Sequence, residues 1–70
     1  MNKTEYFVLL DKWKREGLTY QEMSHRYIEL NNFQHNIHKQ REVERFFKLN
    51  KDLEDRNFKD KFKELINSNI

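Results

Sequence analysis

The chain has 70 residues, enough for one small domain, and its 36% apolar content includes six Phe, three Tyr and one Trp, so any core is small but built from large rings. Cys is absent and no zinc-ligand spacing is recognisable, which excludes a disulfide or thiolate-metal staple and leaves helix packing or a partner to hold the fold. The formal net charge is +2, no apolar run approaches the roughly 20 residues of a membrane span, and residues 1–5 lack a signal-peptide layout; the expectation is a soluble, cytoplasmic protein with no membrane partner.

Pro is absent, Gly17 is the one glycine, and Lys, Glu, Leu, Arg and Gln are plentiful. This composition predicts an all-α fold, a three- to four-helix bundle occupying residues 1–70 as a single domain. Val43 stands alone, and no run of alternating β-branched residues would seed a sheet.

A first helix is predicted over residues 2–16. Asn2 and Glu5 have the spacing of a capping box, and Tyr6, Leu9, Leu10 and Trp13 fall at i, i+3, i+4 and i+7, drawing one apolar stripe. Lys12, Lys14 and Arg15 lie in its last turn, where cations favour the negative end of the helix dipole. Trp13 reads as a core anchor.

Gly17 suits the left-handed position just past a helix end. Thr19 and Glu22 then form a capping box, with Leu18 and Met23 as its hydrophobic staple. A second helix is predicted from Tyr20 to residue 30 or 31, burying Tyr20, Met23, Tyr27 and Leu30 with Ile28 beside them, and turning Glu22, Arg26 and Glu29 outward. The short connection predicts that these two helices pack directly against each other, as a helical hairpin or as the first arms of a helix-turn-helix unit.

Residues 31–36 mix polar turn formers with one aromatic residue, giving a loop with Phe33 tucked inward. A third helix is predicted over residues 37–51, with Val43, Phe46, Phe47, Leu49 and Leu53 as its apolar positions. Adjacent Phe46 and Phe47 sit about 100° apart on a helix, so one faces the core and the other lies under a fourth helix or a partner. That fourth helix begins near residue 57, where Phe58, Phe62, Leu65 and Ile66 follow i, i+4, i+7 and i+8. It either caps the bundle or presents its stripe to another chain.

Charge is unevenly distributed: residues 1–33 are neutral, residues 34–51 carry +3 and residues 52–70 carry −1. The basic stretch holds Lys39, Arg41, Arg45 and Lys48 with Gln34, His35, Asn36, His38 and Gln40, the side-chain types that contact phosphates and base edges. A recognition helix is built this way. The competing reading is a solvated helix face, and a pI of about 9.0 is modest for a nucleic-acid binder.

Catalysis has little to work with. Ser24 and Ser68 are the only serines, no Gly-rich loop would cradle a phosphate, and Cys is absent. Glu22 and His25 imitate one half of a di-iron carboxylate motif that needs a second copy, and His35 with His38 supplies two metal ligands without a third. The chain therefore reads as a non-enzyme without cofactors.

Residues 16–24, Glu-Gly-Leu-Thr-Tyr-Gln-Glu-Met-Ser, resemble the second helix of small helix-turn-helix regulators of bacterial phages and mobile elements. In that family a Leu-Thr-x-x-Glu-Leu-Ala type of segment opens the helix, and its small residue lets the recognition helix approach closely. Ser24 holds the small position here and Met23 the buried one before it. Where the family usually carries a Gly at the tight turn this chain has Ile28, and the following loop is longer than the usual three or four residues.

The resemblance implies a transcriptional regulator that binds duplex DNA, with His35, Asn36, Gln40 and Arg41 at base edges and Lys39, Arg45 and Lys48 at phosphates. A homodimer is expected for such a binder, with the stripe of the fourth helix as one surface for it. The alternative is a protein-binding inhibitor or antirepressor, whose target tolerates the long loop and the missing Gly. The placement of charge decides between them: Lys39, Arg41, Arg45 and Lys48 together on one exposed convex face favour DNA, and Glu42 and Glu44 interspersed among them there favour a protein.

Overall fold

Four helices and no strand make up residues 3–68, the part of the chain that a computed structural model describes: α1 (Lys3–Arg15), α2 (Tyr20–Leu30), α3 (Ile37–Asn50) and α4 (Asp55–Ser68). The fold is all-α, as the composition predicts. Asn2, one half of the predicted first capping box, lies outside the described residues.

The boundaries follow from local chemistry. Gly17 adopts φ +77°, and the Leu18 amide donates to the Trp13 carbonyl at 3.1 Å while the Gly17 amide donates to Lys14 at 3.1 Å, the paired bonds of a Schellman stop. Thr19 then caps α2: its Oγ1 accepts from the Glu22 amide at 3.2 Å, and its own amide donates to Glu22 Oε1 at 3.2 Å. The end of α2 repeats the device without glycine. Asn32 takes φ 58°, with the Phe33 amide donating to Ile28 at 3.0 Å and the Asn32 amide to Glu29 at 3.1 Å. The left-handed turn thus falls at Asn32, a residue type that tolerates that region, and not at Ile28.

These two stops respond oppositely to substitution. Gly17→Ala is expected to cost about 1 kcal/mol, because its Cβ meets nothing within 4 Å and the penalty is purely conformational. Asn32→Gly is expected to be neutral or to gain a few tenths of a kcal/mol. Urea melts of both variants check this, and an unchanged midpoint for Gly17→Ala would remove the left-handed stop as a determinant of the turn.

The helices run up, down, up and down. Tyr6 near the start of α1 donates its hydroxyl to Asn31 Oδ1 at the end of α2 (2.8 Å), the Lys51 ammonium after α3 lies 5.0 Å from the ring of Tyr20 at the start of α2, and Lys14 late in α1 bonds Asp55 at the start of α4. The closest backbone approach is between α2 and α3, across the buried small residue Ser24. The expected direct packing of α1 on α2 is looser than this, because the Tyr6 and Tyr27 rings stand between the two helices with centroids 5.5 Å apart.

The core joins Tyr6, Leu10 and Trp13 of α1, Met23, Tyr27 and Ile28 of α2, Val43 and Phe47 of α3, and Phe58, Phe62, Leu65 and Ile66 of α4. Phe33 and Phe46 pack partly buried against it, and Trp13 is the anchor its position predicts. The α4 stripe faces inward, so it caps the bundle and is spent there rather than offered to a second copy.

Three leucines expected inside are outside. Leu30 is 41% exposed because the core takes the Tyr27 and Ile28 side of the last turn of α2. Leu49 is 67% exposed, since two residues beyond Phe47 means about 200° around the helix. Leu53, at 40%, follows the end of α3, where helical periodicity no longer applies.

Ion pairs tie α1 to α4. Lys14 Nζ reaches Asp55 at 3.0 Å, and Lys59 Nζ reaches both Asp11 and Asp55 at 3.2 Å. The hydrogen bond from Lys14, then that from Lys59, holds the Asp55 carboxyl below its ordinary value of 3.8. Asp11, then Asp55, holds Lys59 above 10.5.

A depressed carboxylate contributes stability that is complete above its unfolded pKa and lost as pH falls through the folded one. The Asp55 contribution therefore disappears below about pH 4, and the Lys59 contribution disappears as pH rises past about 10.5. Urea midpoints are expected to fall more steeply below pH 4 in the parent than in Asp55→Asn, by a small margin because the pairs are exposed. Parallel profiles would remove the seam as a pH-sensitive element.

Candidate partner-binding face on α3

The residues expected to read DNA divide into two groups. Asn36 is the N-cap of α3, its side-chain oxygen accepting from the Lys39 amide at 3.1 Å. Gln40 turns back on the loop, its amide donating to the carbonyls of Phe33 and Gln34 at 2.8 Å each. Lys39 is half-buried and its ammonium lies 3.4 Å from Glu42. Asn36 and Gln40 thus start the helix and position the loop, and the Lys39 ammonium is engaged within α3.

The second group is free to meet a partner. Gln34 and His35 are exposed in the loop, and His38, Arg41, Arg45 and Lys48 are exposed on α3. Arg41, Arg45 and Lys48 recur at i, i+4 and i+7, which sets them in one stripe on the side opposite Val43 and Phe47. Glu42 and Glu44 border this stripe on its two sides. Glu42 lines a groove of about 730 Å³ between α3 and α4, and Glu44 lines one of about 650 Å³ between α2 and α3. Arg41, Arg45 and Leu49 line both.

Two apolar residues share the exposed side. Leu49 sits on the crest between the grooves, and Ile37, 54% exposed, opens the helix. Sequence reasoning assigned Leu49 to the core and overlooked Lys61 and Glu64, which α4 contributes to the wall of the larger groove. The helical phase of Leu49 against Phe47 was a usable signal; the pairing of α3 with α4 was not, because it depends on the bundle.

The face thus offers guanidinium and ammonium donors, two carboxylates and an open leucine along one helix. Elsewhere, His25 is bonded at 2.9 Å to Glu29, one turn on, rather than to Glu22. No three His, Asp or Glu side chains among the described residues are gathered to share a metal ion. No helix of the described residues is long and apolar enough to cross a membrane.

Comparison with protein-family models, with curated proteins and with solved structures finds no match to this chain.

Proposed function

We propose that this protein is a small protein-binding module of the inhibitor or antirepressor class, acting through the exposed side of α3. The observation that carries this reading is the bordering of Arg41, Arg45 and Lys48 by Glu42 and Glu44, with Leu49 open on the same side. A DNA backbone presents only negative charge, so carboxylates beside the stripe oppose it, and an exposed leucine finds little there beyond thymine methyl groups. A protein surface accepts both signs at its rim and an apolar residue at its centre.

A tagged protein incubated with nuclease-treated extract of its own cells is expected to retain a partner that an Arg45→Glu variant releases. Retention that vanishes on nuclease treatment would overturn the reading. The second reading, a helix-turn-helix-like DNA-binding regulator, is favoured by the absence of any ion pair on Arg41, Arg45 and Lys48 among the described residues. It requires log K for duplex DNA to fall against log salt with a slope near −2.7 for about three phosphate contacts. A flat dependence excludes it.

A further inference from the structure

We infer that the α3/α4 groove receives an acidic amphipathic helix of the partner, an inference that rests on the protein-binding reading above. Three features of the groove point to this occupant. Its floor is apolar, formed by the partly buried Phe46 of α3 and the edge of Leu65 of α4, with Leu49 open on the crest beside it. Cations stand on both rims, Arg41 and Arg45 on the α3 side and Lys61 on the α4 side. It also runs between two antiparallel helices, and α3 spans 14 residues, a length of about 21 Å, or four helical turns.

A helix laid in such a groove places apolar residues at i, i+3, i+4 and i+7 on the floor and its flanking positions against both rims at once. Carboxylates at those flanks meet Arg41 and Arg45 on one side and Lys61 on the other. Glu42, on the α3 rim and 3.4 Å from the Lys39 ammonium, marks a position where the occupant carries a neutral or basic residue. Glu64 stands on the same wall as Lys61, and marks another such position. Leu49, 67% exposed in the free protein, is the residue whose burial the occupant completes.

The test is an anisotropy titration of the full chain against labelled 16-residue peptides. One has Leu at i, i+3, i+4 and i+7 with Glu at the remaining positions, a second replaces Glu with Lys, and a third scrambles the first. The acidic amphipathic peptide is expected to bind at least tenfold tighter than the other two, with amide shifts concentrated at Phe46, Leu49, Lys61 and Leu65. Leu49→Glu and Lys61→Glu are each expected to weaken it at least tenfold while the helical circular dichroism and melting midpoint stay at parent values, since both side chains are exposed.

Equal binding of the three peptides, shifts mapping outside the groove, or tighter binding of a 20-base-pair duplex through these same residues would overturn the inference. If the acidic peptide fails while Arg45→Glu still releases the cellular partner, the occupant is wrong and the protein-binding reading stands. If both fail, both fall.

Discussion

Phe62→Ala is expected to remove a third or more of the stability of this protein, read as a large fall in its urea midpoint. Phe62 has no exposed surface, and its ring centroid lies between 5.6 and 6.3 Å from those of Tyr6, Phe7, Tyr27, Phe46, Phe47 and Phe58. It therefore touches all four helices. Truncating a buried Phe costs about 3–5 kcal/mol, through lost transfer energy and the cavity left behind. A chain of 70 residues has only about 3.5–10 kcal/mol in total, so one ring accounts for a third or more of it. Leu53→Ala serves as the control, since that side chain is 40% exposed and its loss is expected to shift stability by less than about 0.5 kcal/mol. Similar urea midpoints for the two variants would mean that the aromatic cluster does not set the stability of the bundle.

Reversing two charges on α3 is expected to have the largest functional effect. Arg41→Glu combined with Arg45→Glu removes two guanidinium donors that border both grooves, and would put like charge against the acidic occupant proposed above. Hydrogen bonds to charged groups contribute about 1.5–3 kcal/mol each, so affinity for the retained partner is expected to fall by about 100-fold or more. The fold is expected to persist, because both side chains are exposed and make no ion pair among the described residues. Asn36→Ala separates structure from contact: losing the cap costs about 1 kcal/mol of stability and leaves intrinsic affinity unchanged. Surface plasmon resonance on the purified pair, beside a thermal melt of each variant, reads both quantities. An unchanged affinity in the double variant would move the binding face off α3.

The two variants probe features that were unequally legible in the sequence. Gly17, Thr19 and Glu22 speak through local backbone chemistry, and their spacing alone defines the stop and the cap that the structure contains. The α4 stripe was equally clear as a stripe, because Phe58, Phe62, Leu65 and Ile66 keep helical spacing, but that it caps the bundle rather than meeting another chain came from packing. Leu30, Leu49 and Leu53 were misassigned because hydrophobicity identifies a residue that prefers burial, whereas neighbouring helices decide whether space for it exists. Among the candidate site residues, Gln40 and Asn36 look the same in sequence whether they read a ligand or tie down their own loop; only the bonds to Phe33, Gln34 and Lys39 distinguish the two. The places of Glu42 and Glu44 beside the cations were left open in the sequence, and the two grooves they border came from packing.

The seam between α1 and α4 has a consequence for how the bundle breathes. Its ties join residues 41 and 48 positions apart in the chain, through ammonium-carboxylate contacts open to solvent and weakened by salt. The α2/α3 pair is joined directly by the loop of residues 31–36 and buries Ser24, Tyr27, Val43 and Phe47. Beside the Tyr6 and Phe7 ring contacts with Phe62, these screened pairs join the first helix to the last, so transient opening is expected to start there, with the amides slowest to exchange with water expected in the central hairpin. The candidate binding helix belongs to that hairpin, so α3 holds its stripe in place while the far side of the molecule yields.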